Sequence, residues 1–395
     1  MSETYKLYGM AASLYTAKAR SYLRKQGIDF KEYGVNSDHY SQQLLPVLGR
    51  FIMPAIETPN GEVIQDSSDI IEYFERKNST HNPAYPTSTV LQVISYLFEL
   101  FGGEGLLRPA MHYRWNFDTQ NLQYLKNEFV AGLAPPNADE ETENSLFGFA
   151  SKRMRKACQG FGVSEQSAAL IEASYKEFLD LFSHHLKKFP YLLGHQPTLG
   201  DYALMGPLYA HLYRDPVPGM LMRQHAPIVA RWVERMNTTE DCWVEHMESN
   251  SPLIDPACLP PTLKALMRYI AIEYLPELKA HIQFANSWLD QHTTLKAGTN
   301  GMDNPTARTI GQAEFTWRGI RLKTHVLPYR FYLLQRLQEC YQRANQKEQD
   351  AIKSLFTEVG IDSLLTLTTN RKVERHQFLE VWGDLRAIKE TPEIS

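Results

Sequence analysis

Asp66-Ser67-Ser68 stands directly before a stretch in which Ile70, Ile71 and Phe74 recur at helical spacing. Side-chain oxygens placed there accept the backbone N–H groups that the first turn of a helix leaves orphaned. The remaining N–H donors and the positive end of the helix dipole suit an anion, a carboxylate above all. Just upstream, a short apolar segment meets Pro54, and X–Pro is the one peptide bond at which cis is cheap. Ser13 precedes a second helical pattern and could cap it. Thr198-Leu-Gly-Asp201 reads as a capping box, a folding signal rather than a catalytic one. His184-His185 has no paired acid or Cys beside it and reads as a solvated or capped helix face. The cysteines Cys158, Cys242, Cys258 and Cys340 show neither CxxC nor Cys/His spacing, so they read as buried or free thiols with no metal site.

The elements that must carry these residues are legible around them. Tyr5 to Tyr8 reads as a strand, followed by small residues and a helix bearing Ala17, Ala19, Tyr22 and Leu23, which Gly27 closes. A second strand is expected over 28–33. Two short strands flank the turn at Pro59-Asn60-Gly61 and lead into the helix that starts at Asp66-Ser67-Ser68. Residues 77–89 read as a linker, and from 90 to 240 only helical periodicity appears, with helices expected near 90–108, 139–159, 164–188, 199–213 and 226–237. Pro252, Pro256, Pro260 and Pro261 mark a second linker. Beyond it the sequence predicts one helix over 262–292, a hairpin turning at Arg318-Gly319, and helices over 328–344 and 346–357.

Composition narrows the classes. The chain has 395 residues, 43% hydrophobic and 22% charged, with net charge −4. That is enough for two or three domains. No Lys/Arg block points to nucleic acid, and no apolar run approaches the ~20 residues of a membrane helix. Because a strand begins at once, a signal or transit peptide is not expected. The thiol usage points to a reducing compartment, hence the cytoplasm.

The order strand, Pro54, strand, Ser67 at a helix start resembles the glutathione-binding half of the glutathione transferase family. Gly9, Ser13, Arg20, Leu23, Gly27 and Glu32 fall on positions of that pattern, and residues 191–212 resemble an element of the family's helical second domain. The resemblance implies an α+β chain. A thioredoxin-like α/β domain (1–80) is followed by an all-helical transferase domain (90–240) and a mostly helical extension (250–395) of unassigned role. It also implies glutathione as cosubstrate, held by the Met53 backbone and Pro54 and by the acidic–Ser pair Asp66 and Ser67.

Departures accompany it. Asp69 replaces a small residue. Ile52 stands where many members carry a Lys for the glycyl carboxylate, leaving Arg50 as the candidate replacement through its planar fork. Thiol activation falls to Ser13, with Tyr8 and Tyr15 as alternatives. The absence of Cys from residues 1–157 excludes chemistries that use a protein thiol there. Arg108, His112, Tyr113 and Trp115 are candidates for the wall of an apolar electrophile site. The expected activity is attack of activated glutathione on a small apolar electrophile by a homodimer. The alternatives are a non-catalytic glutathione-binding or protein-interaction member, and a glutathione-dependent reductase or isomerase.

Overall fold

The computed structural model describes residues 4–77, 80–240, 245–246 and 251–386. Asn78 and Ser79 of the first expected linker and Cys242 lie outside them.

The first unit runs β1 (Tyr5–Gly9), α1 (Leu14–Lys25), β2 (Phe30–Gly34), a π-helical turn (Tyr40–Leu44) with the short α2 (Leu45–Leu48), β3 (Ala55–Glu57), β4 (Val63–Gln65) and α3 (Ser67–Arg76). The sheet order is β2-β1-β3-β4, with β1 parallel to β2 and antiparallel to β3. The two-residue period of a strand sends alternate side chains to opposite faces. Leu7 packs with Leu23, Ile56, Ile70 and Phe74 under α1 and α3, while Tyr8 packs with Tyr40, Leu44 and Leu48 on the other face.

The helical unit comprises α4 (Thr89–Leu100), a π-helical segment (Phe101–Gly105), α5 (Leu107–Trp115), α6 (Asp118–Leu133), α7 (Glu140–Gly160), α8 (Glu165–Leu186), α9 (Leu199–Ala210), α10 (Pro216–His225) and α11 (Pro227–Met236). The run 89–115 is long and apolar enough to cross a membrane by length and composition, contrary to the sequence expectation. Its 18-residue apolar stretch is 89% buried inside the fold, so the run serves as core. The cap at α9 forms as expected, with the Asp201 carboxylate accepting the N–H groups of Thr198 at 2.9 Å and Leu192 at 2.8 Å.

The extension contains α12 (Pro261–Glu273), α13 (Leu275–Gln291), a hairpin β5 (Gln312–Trp317) and β6 (Ile320–His325), α14 (Pro328–Arg343), α15 (Gln346–Val359), and a second hairpin β7 (Arg371–His376) and β8 (Leu379–Leu385). The single helix expected over 262–292 is broken at Tyr274, because Pro276 lacks the N–H that would continue it. The Pro-rich linker is pinned rather than loose: Ile254 donates to the Leu193 carbonyl at 2.9 Å and His195 to that of Pro252 at 2.8 Å. The extension shares one core with the first two units, in which Leu334, Leu337, Ile352 and Trp382 join Leu97 and Leu7.

Candidate functional site

β1 ends at Gly9, and its antiparallel register places Tyr8 opposite Ala55, so the Met53–Pro54 loop lies beside the end of β1 where the chain turns into α1. The Met53–Pro54 peptide is cis. The Pro54 carbonyl accepts the Asp66 N–H at 3.3 Å, tying the loop to the start of α3. The loop is braced from behind by Tyr40, whose hydroxyl donates to the Ile52 carbonyl at 2.7 Å.

Asp66 caps α3, its carboxylate accepting the Ser68 N–H at 2.8 Å. It sits at φ +88°, a conformation costly for a residue other than glycine and typical of constrained functional positions. Burial pushes its pKa up, but Arg375, Lys18 and the Ser68 N–H together hold it below the usual carboxylate range. Ser67 opens α3 fully buried, and its hydroxyl has no hydrogen-bond partner among the described residues. Ser68 points into a buried cluster, donating to Glu99 at 2.7 Å and accepting from Lys18 at 2.8 Å.

The three hydroxyls considered for thiol activation have different surroundings. The Ser13 oxygen accepts the Thr16 N–H at 3.3 Å and caps α1. The Tyr15 hydroxyl donates to Glu104 at 2.8 Å, and burial followed by Glu104 raises its pKa well above that of a free phenol. Tyr8 turns to the far face of the sheet, where its hydroxyl faces Glu57 at 3.3 Å. Burial and Glu57 raise its pKa too. Neither phenol is poised to ionise.

The extension reaches this site. Tyr329 of α14 donates to Asp66 at 3.0 Å, and its ring lies edge-on to Tyr15 with centroids 6.5 Å apart. Arg375 of β7 lies 3.7 Å from Asp66 and 3.3 Å from Asp69, and donates to Gln65 at 2.7 Å. Tyr332 donates to Asp69 at 3.3 Å. Burial, then the charge of Asp66, raises the Asp69 pKa to about 6. Arg50 is engaged by the extension: it donates to the Phe378 carbonyl at 2.7 Å and pairs with Glu380 at 3.6 Å. Arg308 has exposed surface and no ion pair or hydrogen bond among the described residues.

The candidates for an electrophile wall are placed elsewhere. Arg108 is buried against Glu273 and Glu277 of α12 and α13, with its guanidinium 4.7 Å from the centre of the Trp317 ring. Tyr113 is core, stacked on Phe117 at 5.5 Å. Trp115 is buried beneath Arg155 at 5.0 Å. His112 bonds to Glu172 at 3.2 Å and Asn116 at 2.9 Å, on the edge of an open groove of about 980 Å³. Burial lowers its pKa. His185 is buried rather than solvated, bridging Thr262 at 2.9 Å and the Leu192 carbonyl at 2.8 Å. Cys158 and Cys340 are free and buried, and burial pushes their thiols up to about 12 and 11. No cluster of metal-ligating side chains occurs among the described residues.

Lys18, Glu99, Tyr329 and Arg375 have no motif in the sequence. Only the fold brings them to the start of α3.

Residues 7–82 match the family model of the glutathione S-transferase N-terminal domain, and residues 149–240 that of its C-terminal domain. No curated protein sequence matches the chain. Solved structures similar to it include the beta-etherase LigF of Sphingobium sp. strain SYK-6, 16% identical, covering 67% of this chain and 98% of that one with a TM-score of 0.42. The glutathione S-transferase CsGST63524 of Ceriporiopsis subvermispora, solved with glutathione, is also 16% identical, covering 60% and 99% with a TM-score of 0.39. Glutathione transferase GSTFuA3 of Phanerochaete chrysosporium is 14% identical, covering 61% and 98% with a TM-score of 0.43. The matched domains begin in the strand that leads to Ser13 and end before the second linker, and they are the N- and C-terminal domains of the glutathione S-transferase family.

Proposed function

We propose that this protein is a glutathione-dependent transferase that holds glutathione at the start of α3 and activates its thiol for attack on a small apolar electrophile. The observation that supports it is the Ser67 hydroxyl, buried and unpartnered at a helix N-terminus beside the ionised Asp66. An unsatisfied buried hydroxyl costs about 1–3 kcal/mol, and a bound carboxylate at the positive end of α3 would satisfy it. Asp66 would take the ammonium of the same γ-glutamyl group, and the Met53–Pro54 loop the cysteinyl backbone. Ser13, with the first-turn N–H groups of α1, is the group that would stabilise the thiolate. The reading includes a cytoplasmic homodimer, whose stoichiometry sedimentation of the full chain would check.

Calorimetric titration of the full chain with glutathione tests the site. Millimolar or tighter binding that disappears in Ser67→Ala supports it, and binding that is indifferent to Ser67→Ala overturns it. Turnover of a generic electrophile that falls at least about tenfold in Ser13→Ala, with glutathione affinity kept, would assign the activating role. A second reading, a non-catalytic member, is favoured by the contacts that the extension already makes to Asp66 and Arg50. It predicts binding without turnover.

A further inference from the structure

Every charged group expected to take glutathione is engaged by the extension, and most of these contacts come from the turn of the β7–β8 hairpin. Arg375 sets its guanidinium against Asp66, the place proposed for an ammonium. The Phe378 carbonyl and the Glu380 carboxylate face Arg50, the place proposed for a carboxylate. Arg375 and Glu380 also pair with each other at 3.0 Å, closing the set. Phe378 packs against the cluster around Tyr8, Tyr40 and Leu48 that includes Ile52 and Met53. The hairpin therefore presents one cation, one carbonyl, one carboxylate and one apolar group to the site, the same chemistry that a short zwitterionic peptide would present.

The turn and the base of this hairpin are held differently. At the base, Val373 and Trp382 are buried. The Val373 backbone exchanges two 2.8 Å hydrogen bonds with Gln335, and Trp382 donates to the Thr299 carbonyl at 2.8 Å. The turn residues Gln377 and Phe378 both have positive φ, +46° and +64°, with no glycine or asparagine to ease it. Such residues cost about 1–3 kcal/mol each and persist only where surrounding contacts impose them. Here the two-residue turn between the paired His376 and Leu379 imposes them, and the contacts of Phe378 and Glu380 with Arg50 hold that turn against the site. A hairpin fixed at its base and held at its turn by a separate set of contacts can have two positions, with the turn seated or released.

We propose that residues 375–380 are a built-in competitor for glutathione: seated, they close the site, and ligand entry requires this turn to swing off while Val373 and Trp382 stay anchored. The inference rests on the glutathione site proposed above. Apparent affinity is then reduced by the fraction of molecules in which the turn is released.

The test uses the full chain and a variant in which residues 375–380 are replaced by Asn-Gly, closing the hairpin at the Glu374–Val381 pair. If this variant does not fold, Phe378→Ala is used, which removes the apolar anchor alone. Two readouts are taken. Ser67→Cys is introduced into both backgrounds, and the rate at which residue 67 is modified by a small thiol reagent is followed by peptide mass spectrometry. Glutathione affinity is measured by calorimetry in both backgrounds without that substitution. Modification at least tenfold faster and binding at least tenfold tighter in the shortened hairpin are the expected results. Equal modification rates, or equal measurable affinities, overturn the proposal. Faster modification with no glutathione binding in either form keeps the hairpin as a movable cover but sinks both the glutathione reading and the role of competitor.

Discussion

Asp201 illustrates how a single buried carboxylate holds a helix start in this protein. It accepts the N–H groups of Thr198 and Leu192 and the Thr198 hydroxyl. Burial nevertheless raises its pKa to about 6. Asp201→Ala leaves those donors buried without a partner and should cost about 3 kcal/mol or more, read by urea unfolding. The pH dependence has a definite sign. A folded pKa of about 6 lies above the ~3.9 of an unfolded Asp. The contribution is therefore full below ~4 and lost as pH rises through about 6. The stability advantage of the wild type over Asp201→Asn should shrink across that window, and an advantage that grows with pH would refute the assignment. This residue was readable from Thr198-Leu-Gly-Asp201 because a capping box is local. Arg50 was readable only as a cation near the site. Its actual partners, Phe378 and Glu380, come from a segment that no local pattern connects to it.

Helices and hairpins were legible where their signals are local and hidden where tertiary contacts impose them. Arg318-Gly319 announces the β5–β6 hairpin, and both residues take the positive φ that such a turn needs, +46° and +86°. The β7–β8 turn carries Gln377-Phe378 instead, which gives no turn signal, so that hairpin was invisible. The expected helix over 90–108 passes through a π-helical segment containing Gly102, Gly103 and Gly105. Gly102 is needed for close approach: a Cβ there would lie 2.7 Å from the Leu204 backbone nitrogen of α9. A backbone neighbour cannot swing aside as a side chain would. Gly102→Ala should therefore destabilise by about 3 kcal/mol, at the upper end for overpacking. The measurement is a denaturant midpoint shift at unchanged slope.

The whole molecule is held by buried ion pairs that cross between its parts. Arg330 of α14 pairs with Glu104 of the helical unit at 3.1 Å and with Glu277 of α13 at 2.6 Å. Arg336 of α14 pairs with Glu99 at 3.0 Å, and Glu99 meets Lys18 of α1 at 2.7 Å. Despite burial, Arg330 and Arg108 draw the Glu277 pKa down to about 2. Removing one partner from such a pair strands a buried charge at about 3–5 kcal/mol, whereas neutralising the whole set costs far less. Glu277 keeps Arg108 as a partner, so Arg330→Met should destabilise more than Arg330→Met combined with Glu104→Gln. Thermal unfolding of the two variants, compared at one pH, decides it. None of this network was visible in the sequence, because its paired members lie up to 237 positions apart.

The contact between Arg50 and Phe378 spans 328 positions. At about 5–20 residues per second of synthesis, roughly 15 to 65 seconds separate the emergence of the two. During that interval the partners of Arg50 have not yet been made. Until β7 and β8 follow, Asp66 and Arg50 lack the partners that Arg375, Phe378 and Glu380 later give them.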